Sequence, residues 1–210
     1  MMIDVQILLP LVVPGLAFLI WHLRTRRRFT TGRLLAIVGF SAYLLLVIKY
    51  TIFPLRFDSE YIELYRRQSR FVDGIRLVPL KDLSREYLMS IQGWGNVVLG
   101  VPFGFVYPFV MPVIGWRAIM RYGVLFAATI EAAQLSISLI YGFPYRVIDV
   151  NDILLNFSGV LGGYALLQAL ALLYRAALSQ SPRGAKVREE SVWGYIESVM
   201  FRSIHHARER

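Results

Sequence analysis

Polar side chains that could form a site follow one another in the last third of the chain. Asp149, Asp152 and Asn156 are spaced i, i+3 and i+7, so they share one face of a helix. Two glycines, Gly159 and Gly163, continue the same stripe, while the other faces carry mainly Ile, Leu, Val and Phe. A helix surrounded by lipid gains nothing from such a stripe, whereas a helix that lines a polar cleft and packs closely on a neighbour needs one. The pattern therefore predicts the wall of a site.

Glu131 is a carboxylate in the middle of another apolar segment. It lies about ten residues from the outer end of that segment, or about 15 Å at 1.5 Å per residue. A carboxylate near mid-membrane costs about 2.5 to 3.5 kcal/mol, so it should face protein or water and mark a function. A hydrogen-bonded structural role is the alternative. The same depth count places Glu131 and Gln134 opposite Asn156, and Asn96 on a third segment completes a cleft that opens to the outside.

Arg146 is the basic residue of this group, and its expected place is the outer surface. Asp149 and Asp152 follow it closely in sequence, so we expect these two carboxylates to hold its guanidinium there. Glu131 is too deep for direct pairing with Arg146. An arginine beside amide side chains also suits the binding of a phosphate group.

Three carboxylates could perform general acid/base chemistry or bind a hard divalent cation. For the first role Glu131 and Asp149 are the candidate catalytic residues. The chain has no HExxH, no GxSxG, no phosphate-binding loop and no paired-histidine spacing, so no named reaction follows and we assign neither metal nor cofactor. A structural or binding role is favoured, and the predicted ligand-binding residues are Asn96, Glu131, Gln134, Arg146, Asp149, Asp152 and Asn156.

The composition predicts an integral membrane protein. With 56% hydrophobic and 14% aromatic residues, the 210-residue chain is too apolar for an ordinary soluble domain. The net charge of +9 would also suit a nucleic-acid-binding protein. Most basic residues fall in segments that the topology places in the cytoplasm, however, which explains the charge without nucleic acid. The chain has no cysteine, which excludes disulfides, thiolate metal sites and a cysteine nucleophile.

Five apolar segments are long enough to cross a bilayer as helices, because about 17 to 25 apolar residues span its core. They cover residues 7–23, 34–53, 96–114, 122–141 and 152–174. The predicted fold is all-α, a polytopic membrane helical bundle with about five transmembrane helices. Prolines at Pro102, Pro108 and Pro112 are expected to break the third segment. The one long loop, residues 55–95, is predicted to contain a short surface helix near Tyr61.

The charges at the segment ends predict the orientation. A basic cluster begins at Arg24, and no basic residue precedes the first apolar segment, so that segment is a retained anchor with the N-terminus outside. The C-terminus is then cytoplasmic. Residues 1–175 form the membrane bundle, 176–191 a polar linker and 192–210 an amphipathic cytoplasmic helix. That helix lies on the inner leaflet or binds a partner.

Five motifs in a fixed order resemble the VanZ-like family of bacterial membrane proteins, over residues 36–174. They are Thr51-Ile-Phe-Pro54, Leu77-Val-Pro-Leu80, Gly95-Asn-Val-Val-Leu-Gly-Val-Pro-Phe-Gly104, Glu131-Ala-Ala-Gln134, and the stretch from Arg146 to Gly159. The resemblance implies a cell-envelope protein linked to low-level resistance to teicoplanin and related lipid-tailed glycopeptide antibiotics. The family's recurring polar positions match the seven predicted ligand-binding residues.

Two functions are consistent with these patterns. In the first, an outward-facing polar cleft engages a lipid head group, a lipid-linked cell-wall precursor or a lipid-tailed glycopeptide and so alters drug access. In the second, the protein is a membrane-embedded enzyme that modifies an envelope lipid, with Glu131 or Asp149 as the acid/base. Arg146 would bind phosphate in both, so the sequence does not separate them.

Overall fold

A computed structural model describes residues 2–25, 30–81, 83–111, 115–179 and 192–205. Within these ranges the chain forms eight α-helices, five of which are long and apolar enough to cross a membrane. The five are α1, α2, α5, α6 and α7, which confirms the predicted all-α polytopic bundle. The helices are α1 (Leu9–Thr25), α2 (Thr31–Thr51), α3 (Ser59–Gln68), α4 (Arg85–Leu88), α5 (Ile91–Val110), α6 (Trp116–Tyr141), α7 (Val150–Ser179) and α8 (Val192–His205).

Helix α5 begins earlier than predicted and is continuous through two of its prolines. Ser90 caps it by accepting a hydrogen bond from Gly93 N at 3.1 Å, and the helix begins at Ile91, five residues before the predicted start at Asn96. Pro102 and Pro108 lie inside the helix, so the expected break at these two positions is wrong. A membrane helix tolerates internal prolines because neighbouring helices and side chains satisfy the carbonyl groups that lose their backbone N–H donor. Pro112 lies outside the described residues.

The backbones of α5 and α7 touch through glycines from both helices. A Cβ atom added at Gly159 would lie 2.0 Å from the carbonyl oxygen of Val97, and one at Gly104 would lie 1.9 Å from that of Val160. No side chain fits at such distances. Gly159 and Gly163, which continue the polar stripe of α7, therefore form a helix-packing surface. The helix packed against it is α5, the third predicted span.

Aromatic packing joins α2 and α6 to this helix pair. The rings of Phe40 and Phe103 lie 5.7 Å apart, and those of Phe103 and Phe126 lie 4.3 Å apart. The hydroxyl of Tyr43 donates to the carbonyl of Leu99 at 2.5 Å, which fixes α2 beside α5. The core of the bundle therefore lies between α2, α5, α6 and α7.

The connections before α5 and before α7 fold together at one end of the bundle, the loop end, comprising residues 52–81, 83–90 and 142–149. Strand β3 (Ile75–Arg76) pairs in parallel with β4 (Ile148–Asp149). Nearby, β1 (Met2–Ile3) pairs antiparallel with β2 (Leu55–Arg56). The predicted short helix in the long loop is present as α3, and Arg66 ties it to the end of α6 by donating to the Tyr141 carbonyl at 2.6 Å.

The C-terminal helix packs on the opposite end of the bundle, against α2, α5 and α7. Gln168 donates to the carbonyl of Ser203 at 3.0 Å, and Val199 and Ser203 are buried. Helix α7 continues to Ser179, so the first residues of the predicted linker are helical. Residues 180–191 and 206–210 lie outside the described residues.

Candidate functional site

A cavity of about 990 Å³ lies between α2, α5 and the connection from α6 to α7. Its polar lining is at the loop end, and its apolar lining extends along α2 and α5. Four predicted site residues line it, while Glu131, Asp149 and Asn156 do not. The lining is Tyr43, Leu46, Val47, Tyr50, Thr51, Ile91, Gln92, Gly95, Asn96, Val98, Leu99, Pro102, Gln134, Pro144, Tyr145, Arg146, Val147 and Asp152.

Glu131 lies at a different level relative to the neighbouring helices than expected, because α6 extends beyond them. Gln134 Nε2 donates to the carbonyl of Thr51, the last residue of α2, at 3.2 Å. Glu131 accepts from the backbone N–H of Asp149, just before α7 begins, at 3.1 Å. Helix α6 therefore projects about two turns past the ends of α2 and α7. Glu131 lies at the level of those ends, rather than about 15 Å below them.

The chain returns along the projecting part of α6. Arg146 N lies 3.5 Å from the Ser138 hydroxyl of α6. Asp149 N donates to Glu131, which lies two turns before Ser138 on the same helix. Glu131 is only 4% exposed, and its recorded bond is to backbone. Its carboxylate therefore fixes the returning chain behind the cavity wall.

Asp149 organises the start of α7. Its Oδ1 accepts from the backbone N–H of Asn151 at 2.8 Å, and its Oδ2 lies 3.9 Å from the guanidinium of Arg76. The strand pair β3–β4 places Arg76 directly beside Asp149. Asn151 in turn accepts from the backbone N–H of Leu80 at 2.8 Å, which attaches the long loop to α7. Asp149 is 1% exposed, so its carboxylate is buried beneath these contacts, while the Arg76 side chain is partly exposed.

Arg146 does not make the predicted pairs with Asp149 and Asp152. Its Nη2 donates to the carbonyl of Phe53 at 3.2 Å, and its guanidinium lies 5.9 Å from the centre of the Tyr145 ring. The buried Nε has no hydrogen-bond partner in the described chain. The residues from Arg146 to Asp149 run along α6 from Ser138 to Glu131, and Asp149 contacts Arg76 and Asn151 instead. Arg146 thus lines the cavity, and no acceptor among the described residues uses its Nε donor.

Asp152 is the one carboxylate among the cavity-lining residues that the structure describes. The Tyr87 hydroxyl donates to its Oδ1, and Gln92 Nε2 lies 3.4 Å from its Oδ2. Burial, followed by the bond to Asp152, raises the pKa of Tyr87, which keeps this phenol a proton donor. Asn96 Nδ2 approaches Asp152 but has no hydrogen bond of normal geometry.

The last predicted site residue, Asn156, lies one turn below Asp152 and is 1% exposed. Its Nδ2 donates to the carbonyl of Asp152 at 2.9 Å, while its Oδ1 has no partner within the described residues. The seven predicted residues thus form two adjoining groups. Asn96, Gln134, Arg146 and Asp152 line the cavity, and Glu131, Asp149 and Asn156 lie behind its wall.

The family model described as VanZ/LLP1 matches residues 40–173, which is more than half of the chain. The chain belongs to the VanZ/LLP1 family. The matched region includes both polar groups and most of the bundle, so the family resemblance of the five sequence motifs is confirmed. No curated protein and no solved structure matches this VanZ/LLP1 chain.

Sequence reasoning missed several residues that complete the site of this VanZ/LLP1 protein. Arg76 and Tyr87 come from the long loop, where no helical or strand period indicated that they would reach α7. Gln92 could have been found, because it lies four residues before Asn96 on the same helix face. Its omission follows from the late predicted start of α5.

The role of Glu131 can be tested by two substitutions. Glu131→Leu removes the acceptor of the buried Asp149 N–H, which should lower the free energy of unfolding by about 1 to 3 kcal/mol. Glu131→Gln keeps a carbonyl oxygen at the same distance and should retain most of that stability. Melting temperatures in detergent compare the two. Equal losses would mean that the charge, rather than the hydrogen bond, is required.

Proposed function

We propose that this VanZ/LLP1 protein is a cell-envelope protein whose cavity binds a lipid with a phosphate-bearing head group. A lipid-linked cell-wall precursor is one such ligand. Binding of this kind would lower the access of teicoplanin-type glycopeptides to their target and so contribute to resistance. The observation that carries the proposal is the polarity gradient of the cavity, from Arg146 at the loop end to apolar side chains between α2 and α5.

The polar end suits a phosphate group. Arg146 supplies a guanidinium with a buried, unpartnered Nε, and guanidinium geometry matches phosphate oxygens. The amides of Asn96 and Gln134 line the same cavity and can bind uncharged parts of a head group. The negative charge of Asp152 would repel a phosphate group. Hydrogen bonds from Tyr87 and Gln92 to its two oxygens reduce that repulsion.

The apolar end suits a hydrocarbon chain. Tyr43 lies eight residues before Thr51 on α2, so the cavity continues about 12 Å beyond the level of the head-group residues. Leu46 and Val98 belong to its lining and are 52% and 59% exposed, which places an opening between α2 and α5 on the side of the bundle. A lipid could enter there from the bilayer without its chain passing through water.

The geometry gives less support to the alternative, an enzyme that uses Glu131 or Asp149 as the acid/base. A general acid or base must come within hydrogen-bond reach of the proton that it transfers. Both carboxylates lie behind the cavity wall and are bonded to backbone N–H groups. Asp152, the carboxylate that lines the cavity, would be the better candidate in such an enzyme.

Lipid analysis tests the two functions together. The purified protein would be incubated with an isoprenyl- or diacyl-phosphate lipid, or with diacylglycerol as the matched lipid without phosphate, and examined by mass spectrometry. The binding proposal expects retention of the phosphate lipid in unmodified form and little retention of diacylglycerol. A modified product would favour the enzyme instead. Equal retention of both lipids would contradict a phosphate-specific cavity.

We also propose that the loop end faces outward and that α8 is cytoplasmic. Support comes from the basic residues at the opposite end, which include Arg33, Arg117, Arg121 and Arg175. Since the chain has no cysteine, single cysteines can be introduced at the exposed positions Glu63 and Arg117. A membrane-impermeant thiol reagent should label intact cells at position 63 and leave position 117 unlabelled. The reverse pattern would make the cavity face the cytoplasm.

A further inference from the structure

We propose a second ligand site at the α8 end of the bundle, where Arg33 and Arg202 bind the phosphate of an anionic phospholipid. A cavity of about 390 Å³ lies between them, and its lining also includes Tyr195 and the C-terminal turn of α5. Arg33 comes from the first turn of α2 and Arg202 from α8, so the site exists only when α8 is packed on the bundle. This site is separate from the loop-end cavity and does not depend on its function.

The two arginines lack anionic partners within the described part of the chain. Arg202 Nε donates to the carbonyl of Ser198 on its own helix at 3.1 Å, and the Arg33 side chain has no recorded hydrogen bond or ion pair. Burial raises the pKa of Tyr195, while Arg33 and Arg202 both act to lower it, so both cations lie near its hydroxyl. Two cations that line one small cavity attract an anion to the space between them.

An adjoining cavity of about 480 Å³ explains why the anion should belong to a lipid. Its lining is almost entirely apolar and includes Leu35, Phe105 and Leu170. Phe109 and Tyr195 belong to the walls of both cavities, and the Tyr195 hydroxyl donates to the Phe109 carbonyl between them. A free phosphate ion would use only the basic cavity, whereas a phospholipid also has an acyl chain for the apolar one.

The predicted consequence is that an anionic lipid stabilises the docked position of α8. Gly32 of α2 already packs against the Tyr195 side chain, since a Cβ added there would lie 2.7 Å from Tyr195 Cβ. A phosphate between Arg33 and Arg202 would add a charged link between the same two helices. The lipid composition of the membrane would then control how firmly α8 is held.

The test compares phosphatidylglycerol with phosphatidylcholine and with glycerol phosphate, using the full-length protein in detergent. Phosphatidylglycerol should raise the melting temperature by at least about 2 °C and slow hydrogen exchange in α8, while the other two ligands should do neither. The double variant Arg33→Gln/Arg202→Gln should lose both effects. An equal effect of glycerol phosphate would assign the site to a free anion and overturn the lipid proposal.

Two further variants make the result specific. Arg117→Gln/Arg121→Gln removes two exposed arginines at the same end of the bundle and should retain the phosphatidylglycerol effect. If this control loses the effect as fully as the Arg33 and Arg202 variant, general surface charge is responsible and the site is wrong. Arg146→Ala should also retain the effect, which separates this site from the loop-end cavity.

Discussion

Replacing Gly159 with alanine should lower the melting temperature by at least about 2 °C, and replacing it with leucine should largely prevent folding. The added Cβ would lie 2.0 Å from the carbonyl oxygen of Val97 and 3.0 Å from Cα of Gly100, so α5 and α7 must separate. Overpacking of this kind costs about 1 to 3 kcal/mol or more, and each kcal/mol corresponds to about 2 to 4 °C in a protein of this size. Thermal unfolding in detergent and in lipid measures the change.

Gly162 provides the matched control, because it lies on the same helix and has nothing within 4 Å of an added Cβ. Gly162→Ala should leave the melting temperature unchanged or slightly raised, since alanine is the better helix former. If both alanine variants lost the same stability, the loss would come from placing alanine in α7 rather than from its packing. The contact between α5 and α7 would then not be the cause.

The glycine contact also explains how the polar site is positioned. A Cβ added at Gly100 would lie 2.1 Å from the carbonyl oxygen of Asn156, so the two helices meet closely at this level. Asn96 lies one turn before Gly100, and Asp152 lies one turn before Asn156. Close backbone packing therefore brings Asn96 and Asp152 into the same cavity wall. Separation of the helices by a larger residue would widen the cavity at its polar end.

The helices and their contact face were predictable from the sequence, because both depend on local periodicity. Apolar runs of sufficient length gave the five spans, and the spacing of Asp152, Asn156, Gly159 and Gly163 gave the buried face of α7. Small residues on one stripe have a simple physical consequence, which is close backbone approach. No long-range information was needed for that inference.

The arrangement of the loop end was not predictable in the same way. A depth for Glu131 counted from the end of α6 matches its level in the bundle only if neighbouring spans end at one level, and they do not. The partner of Asp149 was expected nearby in sequence, whereas strand pairing brings Arg76 from over 70 residues away. Such contacts depend on how two loops fold together, and no period in either loop encodes them. Arg146 was left without its predicted partners for the same reason.

Replacing Arg146 with alanine should remove most of the retained phosphate lipid and the associated protection against teicoplanin-type drugs. The recorded hydrogen bond of its side chain goes to the Phe53 carbonyl, and the buried Nε makes none. A hydrogen bond between charged groups contributes about 1.5 to 3 kcal/mol, so affinity for a phosphate lipid should fall about tenfold or more. Mass spectrometry of retained lipid and drug-susceptibility assays measure the two effects.

Two variants separate a head-group role of Arg146 from a structural one. Arg146→Lys keeps the charge but loses the planar fork, so it should retain part of the binding. Arg70→Ala removes an exposed arginine of the loop end that does not line the cavity, and it should bind lipid normally. If Arg146→Ala folded normally and retained as much phosphate lipid as Arg70→Ala, the guanidinium would not contact the head group. The ligand would then have to bind through the amides of Asn96 and Gln134, which carry no charge and would not distinguish a phosphate lipid from diacylglycerol by electrostatic attraction.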